Sequence, residues 1–177
     1  MYPPAETIYS VDVGGRPVSA VVKRPKNAKL GYQYYRQQNI DKALDHFQKA
    51  YNNHPDYMCN WFYLGQIYLN KGQLDQAIQF LNKYSEYFPG NMQTKAGLAD
   101  AHYRKGNYNE AMRLYYILLR NDVEFVQKFK LNYVIGDCFF KTKNYQRAAK
   151  FVNRALQHNG NFQPARRLKK RLQQQGY

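Results

Sequence analysis

The chain has 177 residues, with 27 Lys and Arg against 12 Asp and Glu, for a formal net charge of +15. That length is one domain's worth of chain, and no window of 18 consecutive apolar residues offers a membrane-spanning helix. Two cysteines and four histidines, none at ligand spacing, argue against a disulfide framework or a metal centre.

The first 23 residues read differently from the rest. Thr7-Ile8-Tyr9-Ser10-Val11-Asp12-Val13 and Arg16-Pro17-Val18-Ser19-Ala20-Val21-Val22 are β-prone runs around Gly14-Gly15. An isolated hairpin is marginal in water, so residues 1–23 are expected to form a loosely held arm, a short hairpin or a disordered segment. Beyond it, helical punctuation takes over. Leu30, Gly31, Tyr34, Ala43, Phe47, Ala50 and Pro55 form one set; Trp61, Leu64, Gly65, Tyr68, Ala77 and Pro89 form the next. A third set is Leu98, Ala99, His102, Gly106 and Ala111, and a fourth is Ile135, Gly136, Phe139, Ala148 and Ala155. Gly31 to Gly65 and Gly65 to Ala99 are both 34 residues, whereas Ala99 to Gly136 is 37. The three extra residues are placed around 121–126, where Val123 stands in for a helix-ending proline. The repeats therefore run 24–57, 58–91, 92–128 and 129–161.

Packing explains the small residues. Gly31, Gly65, Ala99 and Gly136 let one helix lie close to its partner, with Ala43, Ala77, Ala111 and Ala148 as the reciprocal small positions. Lys71-Gly72 and Lys105-Gly106-Asn107 break the helices within repeats, and Pro55 and Pro89 break them between repeats. One helix pair cannot bury its own apolar face, so neighbours must stack. Residues 162–177 complete the array as a basic capping helix, with Ala165, Leu168 and Leu172 on its apolar side.

The run W-x-x-L-G-x-x-Y at residues 61–68, recurring at about 34 residues, resembles the tetratricopeptide repeat (TPR) family. The resemblance implies an all-α, right-handed solenoid of about four helix-turn-helix repeats plus a C-terminal cap, preceded by the β-prone arm. It also implies a concave face lined by the first helix of each pair. On that face one column reads Tyr35, Leu69, Tyr103, Phe140, and the next reads Arg36, Asn70, Arg104, Lys141. A turn earlier stand Tyr32, Gln66, Asp100 and Asp137, with Phe62 and Tyr133 nearer the helix starts. Aromatic and cationic columns side by side suit a partner segment with apolar anchors and carboxylates, and Arg36 and Arg104 are placed for cation–π contact with neighbouring tyrosines. The residues by which some relatives clamp acidic chaperone tails are missing: the matching positions hold Ala28, Tyr32, Tyr63, Gln93 and Gly97.

Charge is concentrated at the C-terminal end. Residues 129–177 hold eleven Lys or Arg and one acid, Asp137, which places +10 of the +15 in 49 residues. Lys143, Arg147, Lys150, Arg154, Arg166, Arg167, Lys169, Lys170 and Arg171 form the expected basic surface, a field that attracts acidic proteins, anionic membranes or nucleic acid. Cys59 and Cys138 lie on first helices of different repeats, too far apart for a disulfide. They read as packing residues in a reducing compartment, as His102 reads as a core substitute for Tyr34 and Tyr68.

No catalytic residue set, metal site or cofactor emerges. Ser10, Ser19 and Ser85 have no His–acid partners at suggestive spacing, and Gly14-Gly15 lacks the lysine and hydroxyl of a phosphate loop. The favoured reading is a cytoplasmic, non-catalytic adapter for a protein segment, as an assembly factor or chaperone of a secretion- or pilus-type machine, free or peripheral to a membrane-bound assembly. The alternatives are binding of nucleic acid or an anionic membrane surface through the basic end, and a self-assembling scaffold.

Overall fold

A computed structural model describes residues 8–11, 17–20, 24–121 and 126–177. Strand β1 (Ile8–Val11) pairs antiparallel with β2 (Pro17–Ala20), Ile8 opposite Ala20 and Val11 opposite Pro17. Gly14-Gly15 and Val123 lie outside the described residues. The remaining elements are helices: α1 Lys26–Arg36, α2 Ile40–Asn53, α3 Met58–Asn70, α4 Leu74–Tyr87, α5 Met92–Lys105, α6 Tyr108–Arg120, α7 Lys128–Lys141, α8 Tyr145–His158 and α9 Gln163–Gln173. The fold class is thus the all-α helical-hairpin repeat, with a short strand pair before it.

Two compact units divide the chain, Met1–Gly90 and Asn91–Tyr177. In the first, α1 pairs with α2 and α3 with α4, and α2 packs on α3. In the second, α5 pairs with α6 and α7 with α8; α6 packs on α7, and α9 closes on α8.

The repeat is visible atom by atom in the turns between paired helices. Asn39, Gln73, Asn107 and Asn144 each donate a backbone N–H to the carbonyl five residues back, on Tyr34, Tyr68, His102 and Phe139, at 2.8–2.9 Å. One residue earlier, Gln38, Gly72, Gly106 and Lys143 all adopt positive φ, from 58° to 86°. This left-handed residue lets the last turn satisfy its carbonyls and then reverse the chain. Glycine takes that conformation without strain, while Gln38 and Lys143 carry a Cβ into it. The asparagines then start the next helix: Asn39 Oδ1 accepts from Lys42 N–H and Asn144 Oδ1 from Arg147 N–H.

Close packing follows the same register. A Cβ added at Gly65 would lie 2.6 Å from Leu81 Cγ, inside any tolerable contact. At Gly31 the obstruction is the Phe47 ring, and at Gly136 it is Val152 Cγ2, each at 3.0 Å. Ala43, Ala77, Ala111 and Ala148 are fully buried as expected. The side chain seated over each glycine, however, comes from one turn beyond that alanine. Between repeats, Trp61 donates its indole N–H to Pro55 O at 2.9 Å. One core position is discordant: Asn60 is 0% exposed and neither side-chain polar atom has a hydrogen-bond partner. Buried Leu131 sits at the equivalent place in the fourth repeat, five residues before its glycine.

Three outcomes are expected in chemical-denaturation measurements. Lys143→Gly raises stability by about 0.5–1 kcal/mol by removing left-handed strain, whereas Gly106→Ala, in open space, lowers it by about 1 kcal/mol. Asn60→Leu adds about 1 kcal/mol, because burying unpaired amide atoms costs more than burying a similar apolar shape.

Candidate functional site

In the first unit, the end of α1, the turn after it and the end of α3 enclose a cleft of about 780 Å³. Its lining is Tyr32, Tyr35, Arg36, Gln38, Ile40 and Asn70. Four of these six stand at expected inward positions on first helices. Gln38 and Ile40 were missed because a repeat template gives the turn and the first residue of the next helix no direction; the left-handed φ of Gln38 reverses the chain there.

Rings behind the cleft hold its aromatic walls in place. Tyr63 on α3 meets Tyr35 edge-on at 5.3 Å and Tyr32 at 5.6 Å, and its opposite contact is a stack on Phe47 at 4.9 Å. Phe62 continues the cluster toward Tyr84 at 5.3 Å. Arg24 lies over the Tyr32 ring at 5.5 Å. The aromatic walls are therefore held by core contacts on one side and half-exposed on the other. Gln66 is half-buried, and Arg36 and Asn70 are exposed. Leu69 corrects the expected column: at 6% exposure it belongs to the core and offers nothing to a ligand.

The second unit departs further. Tyr103 donates its hydroxyl to Asp137 Oδ2 at 2.6 Å, tying α5 to α7. Asp137 is only 5% exposed, so this carboxylate is a structural acceptor rather than a groove charge. Burial, and then the hydrogen bond to Asp137, push the Tyr103 hydroxyl well above the ordinary phenol range, which keeps it a donor. Asp100 pairs with Arg104 on its own helix at 3.6 Å. Phe140 is half-buried, with Tyr145 at 5.3 Å and the Arg171 guanidinium 4.4 Å above its ring. The cap helix covers this column residue, and Arg171 is a ring contact as well as a surface cation. Tyr133 packs edge-on against Phe162 at 5.3 Å, and Lys141 is exposed.

Other titratable groups read as structure. Burial, followed by the neighbouring Asp137 charge, pushes the Cys138 thiol up to about 12, and burial raises Cys59 too. Both cysteines are free. Raised thiols are poor nucleophiles and poor metal ligands, and no group of three His, Cys, Asp or Glu converges among the described residues. His102 is half-buried, its pKa lowered by burial, and its Nδ1 faces Asn107 Nδ2 at 3.4 Å. Among the described residues no helix is long and apolar enough to cross a membrane.

Comparison with known proteins gives a consistent picture. Two profiles, both described as tetratricopeptide repeat, match residues 34–94 and 96–164. The peroxisomal targeting signal receptor of Eremothecium gossypii is 31% identical over 82 residues, which is 46% of this chain and 14% of the receptor. The chain thus spans about one seventh of that relative's length. Among solved structures, MamA AMB-1 superposes with a TM-score of 0.73 at 15% identity, covering 84% of this chain and 80% of MamA. YrrB, a TPR protein with an unusual peptide-binding site, does so with a TM-score of 0.70 at 17% identity, covering 81% and 73%. At such identities the likeness is one of fold.

Tyr103→Phe is expected to lower stability by about 2 kcal/mol, because it strands a buried carboxylate. Asp137→Asn in the same chain should recover part of that loss. Equal losses in single and double variants, measured by urea unfolding, would place the cost elsewhere.

Proposed function

Because this chain belongs to the tetratricopeptide repeat family, we propose that it is a non-catalytic adapter that receives a segment of a partner protein against its first helices. The supporting observation is the cleft at Tyr32, Tyr35, Arg36, Gln38, Ile40 and Asn70, open to solvent, aromatic on its walls and cationic at its rim. Pre-set rings bury much area at little entropic cost, and arginine takes a carboxylate in two hydrogen bonds. The segment that fits has an aromatic or large aliphatic residue beside an Asp or Glu. TPR proteins are generally non-catalytic scaffolds, and YrrB's described peptide-binding site is a precedent on the same fold. Within this proposal the protein is cytoplasmic and serves as an assembly factor or chaperone of a larger machine. The residues bearing the load are Tyr32, Tyr35, Arg36 and Asn70, with Leu69 and Asp137 withdrawn from the set.

Peptide display against the whole chain tests the cleft. Selected sequences should place an apolar anchor next to an acid. In calorimetry they should bind Tyr35→Ala/Arg36→Gln at least tenfold more weakly, about 1.4 kcal/mol, with helical content unchanged by circular dichroism. Selected peptides that bind the double variant as tightly as wild type would remove the cleft from the function.

A further inference from the structure

The second unit carries a separate cationic face, on the second helices rather than the first. On α8, Arg147, Lys150 and Arg154 recur at three- and four-residue spacing, on the flank beside Phe151 and away from buried Ala148, Val152 and Ala155. The row spans seven residues, about 10 Å at roughly 1.5 Å per residue. Two of its cations are braced by rings: Arg147 lies 5.7 Å from the Phe139 centroid and Arg154 5.1 Å from Phe151. Tyr116 of α6 borders the row, edge-on to Phe151 at 5.7 Å. Burial raises the Tyr116 hydroxyl above its ordinary range, and the Arg147 and Arg154 charges oppose that rise. Neither α8 nor α9 contains a carboxylate. Among the described residues, none of these three cations has an ion-pair partner.

We propose that the α8 face of Arg147, Lys150 and Arg154, bordered by Tyr116, binds the phosphate backbone of single-stranded nucleic acid. The chemistry favours this ligand over the others a basic face attracts. Protein partners draw most of their affinity from buried apolar anchors, and lipid surfaces hold a helix through an apolar face. Neither feature is present here: the large apolar side chains exposed among the described residues are Tyr87 and Tyr177, on neither α6 nor α8. Phosphate contacts need only fixed donors and charge. Both arginines are pre-set by their rings, which lowers the entropy lost when they grip a phosphate oxygen. A duplex holds its phosphates at fixed positions and is read by elements that enter its grooves, and α8 is packed on α7 and α9. An exposed, flexible backbone suits that flat face.

The test is fluorescence anisotropy with a labelled single-stranded oligonucleotide of about 20 nucleotides, longer than one binding site, titrated with the whole chain at several salt concentrations. Wild type should bind at low salt and weaken as salt rises. Arg147→Gln/Lys150→Gln/Arg154→Gln should lose at least about tenfold in affinity. It should also flatten the plot of log affinity against log salt by about two, as three phosphate contacts at ~0.7 each require. Arg147→Lys/Arg154→Lys should stay within about threefold of wild type. Should the triple variant melt early, Lys150→Glu, which touches no ring, is the deciding variant and should cost about fivefold. The same charge removed from the first unit, as Lys26→Gln/Lys29→Gln/Lys42→Gln, should change affinity less than twofold. Equal losses in the two triple variants, an unchanged salt slope, or tighter binding to polyglutamate or phosphatidylserine vesicles than to the oligonucleotide would overturn the proposal.

Discussion

The close approach of paired helices at Gly31, Gly65 and Gly136 is the constraint from which the rest follows. A Cβ at Gly65 would enter the volume of Leu81, and the same position in the first and fourth repeats is pressed by Phe47 and Val152. Interiors are packed too densely to absorb such overlaps without moving backbone. With the helices drawn together, large side chains on either side of the glycine have little freedom over where they point. Leu64, Tyr68, Ile135 and Phe139 go inward, and the residues a turn away become the walls of whatever lies outside.

That rule positions the cleft and also limits it. On α1 the residues after Gly31 are braced on one side by Tyr63, and Tyr32, Tyr35 and Arg36 line the cleft with the other. On α3 the equivalent of Tyr35 is Leu69, flanked by helices on both sides, and it sinks into the core. In the second unit the pattern is answered by the protein's own polar groups. The Tyr103 hydroxyl satisfies Asp137, and Arg171 from the cap lies on Phe140. A uniform periodic column in sequence thus becomes an uneven surface, because each position is finished by a different neighbour.

The repeat was legible because its signals are local. Glycine spacing, the alanines one helix later and the punctuating Gly72 and Gly106 each follow from contacts within one hairpin. Gln38 and Lys143 show the limit: they occupy the same left-handed position, yet nothing in their residue types announces it. Site residues were harder to read because exposure depends on what packs next. The sequence pattern places Leu69 and Tyr35 in one column, and only the elements surrounding each one separate core from cleft. Asp137 was legible as a charge and not as an acceptor, since its partner Tyr103 lies 34 residues away on another helix. Gln38, in the turn, and Ile40, the first residue of α2, were invisible for a related reason, as their direction is set by the chain reversal.

The two proposed sites, the first-unit cleft and the α8 row of the second unit, rest on different physics. First helices present rings whose affinity rests on buried apolar area, which salt scarcely touches. The second helix α8 presents guanidinium and ammonium groups over rings, whose attraction is screened as salt rises. The α8 row draws on none of the cleft residues. The cationic row also has a structural reason to be braced. Unbalanced positive charge repels itself and works against compactness, and ring contacts at Phe139 and Phe151 hold the arginines spread along the helix while returning part of that cost. Cations held in this way are already arranged for a polyanion, whose binding removes the repulsion that the fold otherwise sustains.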